Sequence, residues 1–284
     1  MRTVLNWTKP SERKQTIPLD NASLIADLAE CMVDGAGIIS PPIDPLALIK
    51  DEPIVAIGSN YGEAFDGRIE WRGDHFNLYY NTRHGNEKDR RVRFSISHEI
   101  GHAAIPWHVE ALMQSLKSHS SSSEYVSDNK VEREADEFAA SLLMPRLLFK
   151  SVSRKVPDLR TLIPASEKFQ TSLLSTVVRY VHTTDFACLV FVSDGHKVNW
   201  HFRSEEFVRT GAIGLKKGII LPESSCTRRL AEGKAKAKGV EFVENLIEIE
   251  DWFEHYRYRY PDVLEQAMPA GRYGYLTLLA VEEA

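Results

Sequence analysis

His98-Glu99-Ile100-Gly101-His102 sits inside the run "RFSISHEIGHAAIPWH", residues 93–108. Two imidazoles four residues apart on a helix are offset by about 40° and about 6 Å, so both can converge on one ion. Glu99 lies about 100° round the helix from His98, beside the ion rather than on it, where a carboxylate can act as general base. The pattern is that of metal-assisted hydrolysis. Composition alone produces such a pentapeptide in roughly 5 of 100 chains of this make-up, so the motif needs support from elsewhere. Two core histidines bonded to backbone carbonyls are the plain alternative.

A catalytic zinc site takes three protein ligands and keeps a fourth position open. The run "NKVEREADEFAASLLM" (129–144) offers the third. Val131, Ala135, Phe138, Ala139 and Leu142 form an apolar stripe at helical period, and Glu132 lies on or beside it. A carboxylate facing a core is costly unless it is paired or bound to metal. Glu134 and Glu137 fall off the stripe and read as solvated surface. Asp136, one turn after Glu132, could accept an N–H from a ligating histidine. Gly101 has no side chain to obstruct the ion. An oxyanion donor is also required, and Tyr125, His108 and His75 are candidates by type alone.

These residues need elements to hold them. Asn21 can cap a helix through "ASLIADLAECMV" that stops at Gly35/Gly37, and Asp44-Pro45 can start another. Residues 54–60, 67–73 and 75–81 read as neighbouring antiparallel strands, "HFNLYYN" being an edge to which an extended substrate could add. A helix follows from Asp89 to Ile105, ended by Pro106. A serine-rich connection containing "SHSSSSE" then leads to the second helix, stopped by Pro145.

Residues 146–182 read as helical with a break near Pro164, and as helix, turn, helix with Ser172 capping the second helix. Arg179 is that helix's one base-reaching side chain, and Leu173, Leu174, Val177, Val178 and Val181 cover it with apolar surface. Packing or substrate docking is therefore favoured over DNA reading. Beyond Thr184, "FACLVFV", "KVNWHF", "VEFVENLIEI" and "YGYLTLLAV" are strand-like, with a helix near 225–235, so a second, α/β domain is expected from about Asp185. The basic runs "KKG" (216–218), "TRR" (227–229) and "KAKAK" (234–238) read as solvated faces. Trp200, Trp252 and "HYRYRY" (255–260) could line a pocket or fill a core.

The 284 residues suit two domains, and 43% hydrophobic with 26% charged is a globular mix. A net charge of −5 supplies no global basic field for nucleic acid or anionic membrane. With no apolar leader and no 18-residue apolar run, a cytoplasmic protein without a membrane span is expected. Cys31, Cys188 and Cys226 are odd in number and far apart, the pattern of reduced, mostly buried thiols.

"FDGRIEW", "NLYYN", "RRVRFSISHEIGH" and "EREADEFAASLLMP" together resemble the ImmA/IrrE group of metallopeptidases, which cleave helix-turn-helix repressors. "FQTSLLSTVVRYV" and "DFACLVFVSDGHKVNW" are similar to its longer members, and the likeness runs over roughly residues 35–284. The resemblance implies an α+β chain in three parts: a zincin-like metallopeptidase domain (1–145), a short helix-turn-helix-like segment (146–184) and an α/β GAF-like regulatory or recognition domain (185–284). It implies one divalent metal ion, Zn2+ first with Mn2+ or Fe2+ as alternatives, on His98, His102 and Glu132. Glu99 would take a proton from the water that the ion activates and pass it to the leaving amine. The partner expected is a helix-turn-helix repressor, with a small ligand on the C-terminal domain and no direct DNA contact. The competing reading is a non-catalytic regulator that binds a repressor or DNA through a protease-like fold. A protein that only captures its partner has no use for Glu99.

Overall fold

The structure is a computed structural model describing residues 21–116, 118–121, 129–212, 218–235, 242–253 and 262–281. It is mixed α+β and divides into two compact units. The first runs to Phe149 and includes Glu167–Ser172; the second comprises Lys150–Ser166 and continues from Leu173. Tyr125, residues 216–217, 236–238 and "HYRYRY" lie outside the described residues.

The first unit begins with α1 (Asn21–Gly35) and the short α2 (Pro45–Leu48). Asp44 starts α2 as expected, its carboxylate accepting from the N–H groups of Leu46 and Ala47. Strands β1 (Ile54–Ser59), β2 (Gly67–Trp71) and β3 (Phe76–Asn81) follow. Two helices come next, α3 (Arg90–Ala104) and α4 (Pro106–Ala111), the latter running into a π-helical turn at Leu112–Leu116. β4 (Ser118–Ser121) and α5 (Lys130–Leu143) complete the order, and α6 (Arg146–Ser153) begins in this unit and continues past Phe149.

The sheet order is β1-β3-β2-β4. β2 pairs antiparallel with β3 as expected, but β1 pairs with β3 in parallel, so β3, expected as an edge, lies between two strands and has no free edge for an added one. The reason is the hairpin: β3 turns back from β2 into the gap beside β1, so β1 and β2 oppose in direction without touching as neighbours. Buried Asn81 stabilises the connection that makes this room. Its amide donates to the carbonyls of Gly62 (2.9 Å) and Phe65 (2.6 Å), and its oxygen accepts from the Tyr61 N–H (3.1 Å).

α3 starts where Asp89 accepts from the N–H groups of Arg91 (2.8 Å) and Val92 (3.3 Å). Pro106 does end it, and at once serves as the first residue of α4, where its missing N–H costs nothing. α5 starts at Asn129, whose side chain accepts from Val131 N–H (3.0 Å). Ile25, Ala29 and Val33 of α1, Ile69, Phe76 and Leu78 of the sheet, Ile96 and Ile100 of α3, and Phe138 and Leu142 of α5 share one core. Gly101 belongs to that packing and not to access: a Cβ there would lie 3.1 Å from Phe138, so its absence lets α3 and α5 approach. Val131, assigned to the inward stripe, is exposed.

α7 (Leu159–Phe169) and α8 (Leu173–Thr183) complete the helices before the second sheet. Pro164 lies inside α7 and does not break it. One i→i−4 bond is forgone, and the helix ends instead before Gln170, which takes a left-handed φ of 52°. Arg179 is buried, so the base-reaching side chain that a DNA-reading helix would need is absent from this one's surface.

The second unit carries β5 (Cys188–Ser193), β6 (Val198–Arg203), α9 (Glu205–Arg209), α10 (Cys226–Ala231), β7 (Val243–Glu248), β8 (Asp262–Pro269) and β9 (Tyr275–Val281). The order β6-β5-β9-β8-β7 is antiparallel at every pairing, so the unit is not α/β in the sense of parallel crossovers. β5, "CLVFVS", is buried at every residue. Phe191 and Trp252 pack in the core with ring centroids 5.3 Å apart, so Trp252 is core filling. β8, not anticipated as a strand, brings in Glu265, which is fully buried. Its carboxylate accepts from Ser225 Oγ (2.7 Å), Thr227 Oγ1 (2.6 Å) and the N–H groups of Cys226 (2.8 Å) and Thr227 (3.1 Å) at the start of α10. Among the described residues, no helix is long and apolar enough to cross a membrane.

Candidate metal centre

α3 and α5 pack side by side in the first unit and bring His98, His102 and Glu132 together, one ligand atom from each lying within 4.8 Å of the others. His98 Nε2 is 3.1 Å from His102 Nε2 and 3.4 Å from Glu132 Oε2, and His102 Nε2 is 3.7 Å from Glu132 Oε1. Ligands at about 2.0–2.2 Å from a tetrahedral ion stand about 3.4 Å from one another. Measured to whichever Glu132 oxygen is nearer each imidazole, the separations lie around that value, and two imidazoles with one carboxylate suit zinc, manganese or iron chemically. The donor set fits one divalent cation.

Asp136 Oδ1 is 2.9 Å from His98 Nδ1. An Nδ1–H donated to that carboxylate leaves the Nε2 lone pair facing the other two donors. Burial opposes a charge on His98, but its hydrogen bonds with Asp136 and Glu132 outweigh it and push the pKa up to about 10. Burial, with the neighbouring imidazoles, drives His102 well below its ordinary value, so it stays neutral. Burial would also raise Glu132, yet its bonds to His119 and His98 hold it far below the usual carboxylate range.

Glu99 is fully buried, one helical step from His98. Ser121 Oγ donates to its Oε1, while its Oε2 has no hydrogen-bond partner among the described residues. Burial is the main reason its pKa rises to about 7, against the pull of His98 and Ser121. β2 supplies the close wall: a Cβ on Gly67 would come within 2.8 Å of Glu99 Cγ.

Of the candidate oxyanion donors, Tyr125 is not among the described residues, and the His108 ring lies 5.0 Å from that of His102. His75 is bonded to Asp74 (2.6 Å), and His108 Nε2 lies 3.0 Å from Glu134 Oε2. Glu134 itself corrects the surface assignment. It is 7% exposed and also accepts from Trp107 Nε1 (2.6 Å) and Asn21 Nδ2 (2.9 Å). Asn21 therefore reaches across to α5 from the first turn of α1. Burial works against the charge on Glu134, but these three donors outweigh it and lower its pKa. Glu137 is half-buried and accepts from Ser141 (3.0 Å).

Two residues of the site went unnoticed in the sequence. His119 Nε2 lies 2.6 Å from Glu132 Oε1, its ring 4.6 Å from that of His102, and Ser121 meets Glu99. Both belong to β4, built from the serine-rich connection. The one available signal was a histidine alternating with serines, which two-residue spacing would place on one strand face.

Residues 63–180 match the family model described as Peptidase_M78, the IrrE N-terminal-like domain. That span includes α3, β4 and α5. No curated protein matches the sequence. A solved structure, a Mycobacterium tuberculosis transcriptional regulator, is similar with a TM-score of 0.57, covering 91% of this chain and 76% of its own at 12% identity. At that identity the likeness is one of fold. The segment that brings the two histidines and the carboxylates together is the segment that matches an IrrE N-terminal-like peptidase domain.

Proposed function

We propose that the protein is a metal-dependent endopeptidase that cleaves a helix-turn-helix transcriptional repressor. Its first unit would be the zincin-like peptidase and its second a GAF-like regulatory or recognition domain. The observation that carries this reading is the buried Glu99 carboxylate, with one oxygen held and the other unpartnered, next to a His-His-Glu donor set. The match to the Peptidase_M78 model supports the peptidase class, and the repressor follows from the ImmA/IrrE resemblance.

His98, His102 and Glu132 would hold the cation, which would supply polarisation of the scissile carbonyl and a lowering of the pKa of water toward about 7. Glu99 Oε2 is the proton acceptor. Ser121 on Oε1 fixes which oxygen stays available. With a pKa near 7, Glu99 can accept a proton from the attacking water and return it to the departing amine at neutral pH. Asp136 orients the His98 ring.

Gly67→Ala follows from the same geometry. The added methyl must displace Glu99, so turnover is expected to fall by about 100-fold while cation content stays at the wild-type level. Parallel cleavage assays and elemental analysis would check both halves; unchanged turnover contradicts the placement of Glu99.

The test of the function is incubation with small helix-turn-helix repressors from the same genome, followed by mass spectrometry. Chelator-sensitive cleavage at a defined bond supports it. A second reading is favoured by one observation, that the structural neighbour is named a transcriptional regulator. Under it the fold captures a repressor or DNA without cutting, and stable complex formation with no new termini would be the result.

A further inference from the structure

β4 pairs antiparallel with the outer edge of β2, placing His119 opposite Ile69 and Ser121 opposite Gly67. Residues two apart share a strand face, so His119 and Ser121 point the same way. Ser121 reaches Glu99 and His119 reaches Glu132. His119 stands outside the three-donor group, and its Nε2 is directed at Glu132 Oε1, 2.6 Å away.

We propose that His119 is a positioning residue for Glu132, donating from Nε2 to Oε1 so that Oε2 is the oxygen left for a cation. The inference rests on the metal-dependent reading above. Glu132 is the one flexible carboxylate among the three donors, and its three side-chain torsions would otherwise let it turn away. Oε2 is the oxygen nearer His98, 3.4 Å from its Nε2. The His119 ring lies tilted against that of His102, centroids 4.6 Å apart, which places the donor beside the second imidazole ligand. Hydrogen bonds to a ligating carboxylate typically alter metal affinity 10–100-fold when removed. The serine-rich connection thereby has a task in the site beyond closing the sheet edge.

The test is a Zn2+ affinity titration, with the Co2+ absorption spectrum as a second readout, on the full chain. Wild type, His119→Ala, His119→Gln, Ser121→Ala and His102→Ala are compared. His119→Ala is expected to keep one equivalent at saturation with affinity about 10–100-fold weaker and an altered Co2+ spectrum. His119→Gln retains an N–H donor and should recover most of the affinity. Ser121→Ala, which removes the other anchor of β4 but touches no ligand, should stay within about threefold of wild type. Wild-type affinity in His119→Ala overturns the proposal. Complete loss of metal in both His119 variants, as in His102→Ala, overturns it too, because His119 would then be a ligand. Equal weakening in Ser121→Ala overturns it by assigning the effect to the strand. Absence of binding in the wild type is different: it removes the underlying metal reading and this inference with it.

Discussion

Glu99→Gln is expected to lower repressor cleavage by about 10²–10⁴-fold while the protein still binds one equivalent of metal. Gln is nearly the same size, keeps an oxygen for Ser121, and cannot take a proton at neutral pH. The buried pocket is therefore preserved and only proton transfer is lost. Glu99 is not one of the three grouped donors, so cation content should not move. Cleavage measured by gel and mass spectrometry, beside elemental analysis of the same sample, separates the two quantities. Retained cleavage would rule out Glu99 as the base. Retained capture of the repressor with no cleavage in either wild type or variant would favour the non-catalytic regulator.

Glu265→Ala should have the largest effect on stability. The carboxylate is fully buried and accepts four hydrogen bonds from Ser225, Cys226 and Thr227. Truncation leaves two backbone N–H groups and two hydroxyls without that acceptor, inside a sheet-covered interior. Each stranded donor costs about 1–3 kcal/mol, and with partial relaxation the total is about 4 kcal/mol. Ser225→Ala loses one of the bonds and the side-chain cap on α10, costing about 1 kcal/mol. Denaturant unfolding, with hydrogen exchange at β8 and α10 to localise the change, reads both. A Glu265→Ala midpoint no lower than that of Ser225→Ala would show the carboxylate is not the anchor.

Glu265 also explains why β8 was hidden. "DVLEQAMP" places Glu and Gln at fully interior positions, where strand reading expects apolar residues. Gln266 accepts from Leu159 N–H (2.8 Å) and donates to Glu244 (3.0 Å), so both polar residues are satisfied by partners distant in sequence. α3 and α5 were legible because Asp89 and Asn129 cap them and their apolar residues repeat at helical period. Glu134 was misjudged because a single stripe describes one covered face. α5 is covered on two sides, by α3 and by α1, and the second side needs a polar residue only because Asn21, Trp107 and His108 converge there.

The candidate site divides along the same line. HExxH spacing and the E-x-x-x-D turn are local, so His98, His102, Glu132 and Asp136 could be proposed from periodicity, and the fold does bring them together. β4 has no apolar alternation; the open edge of β2 and the carboxylates of Glu99 and Glu132 give its residues partners. Its role depends on long-range contacts that no short window contains. The parallel placement of β1 was hidden likewise, since strand direction follows from where β3 inserts.

The central claim is that His98, His102 and Glu132 form one cation site, and metal stoichiometry of the purified protein tests it most directly. Elemental analysis of wild type, His102→Ala and Glu132→Gln should give one equivalent in the first and little or none in the other two. No metal in the wild type after reloading, or binding indifferent to both substitutions, would contradict the account.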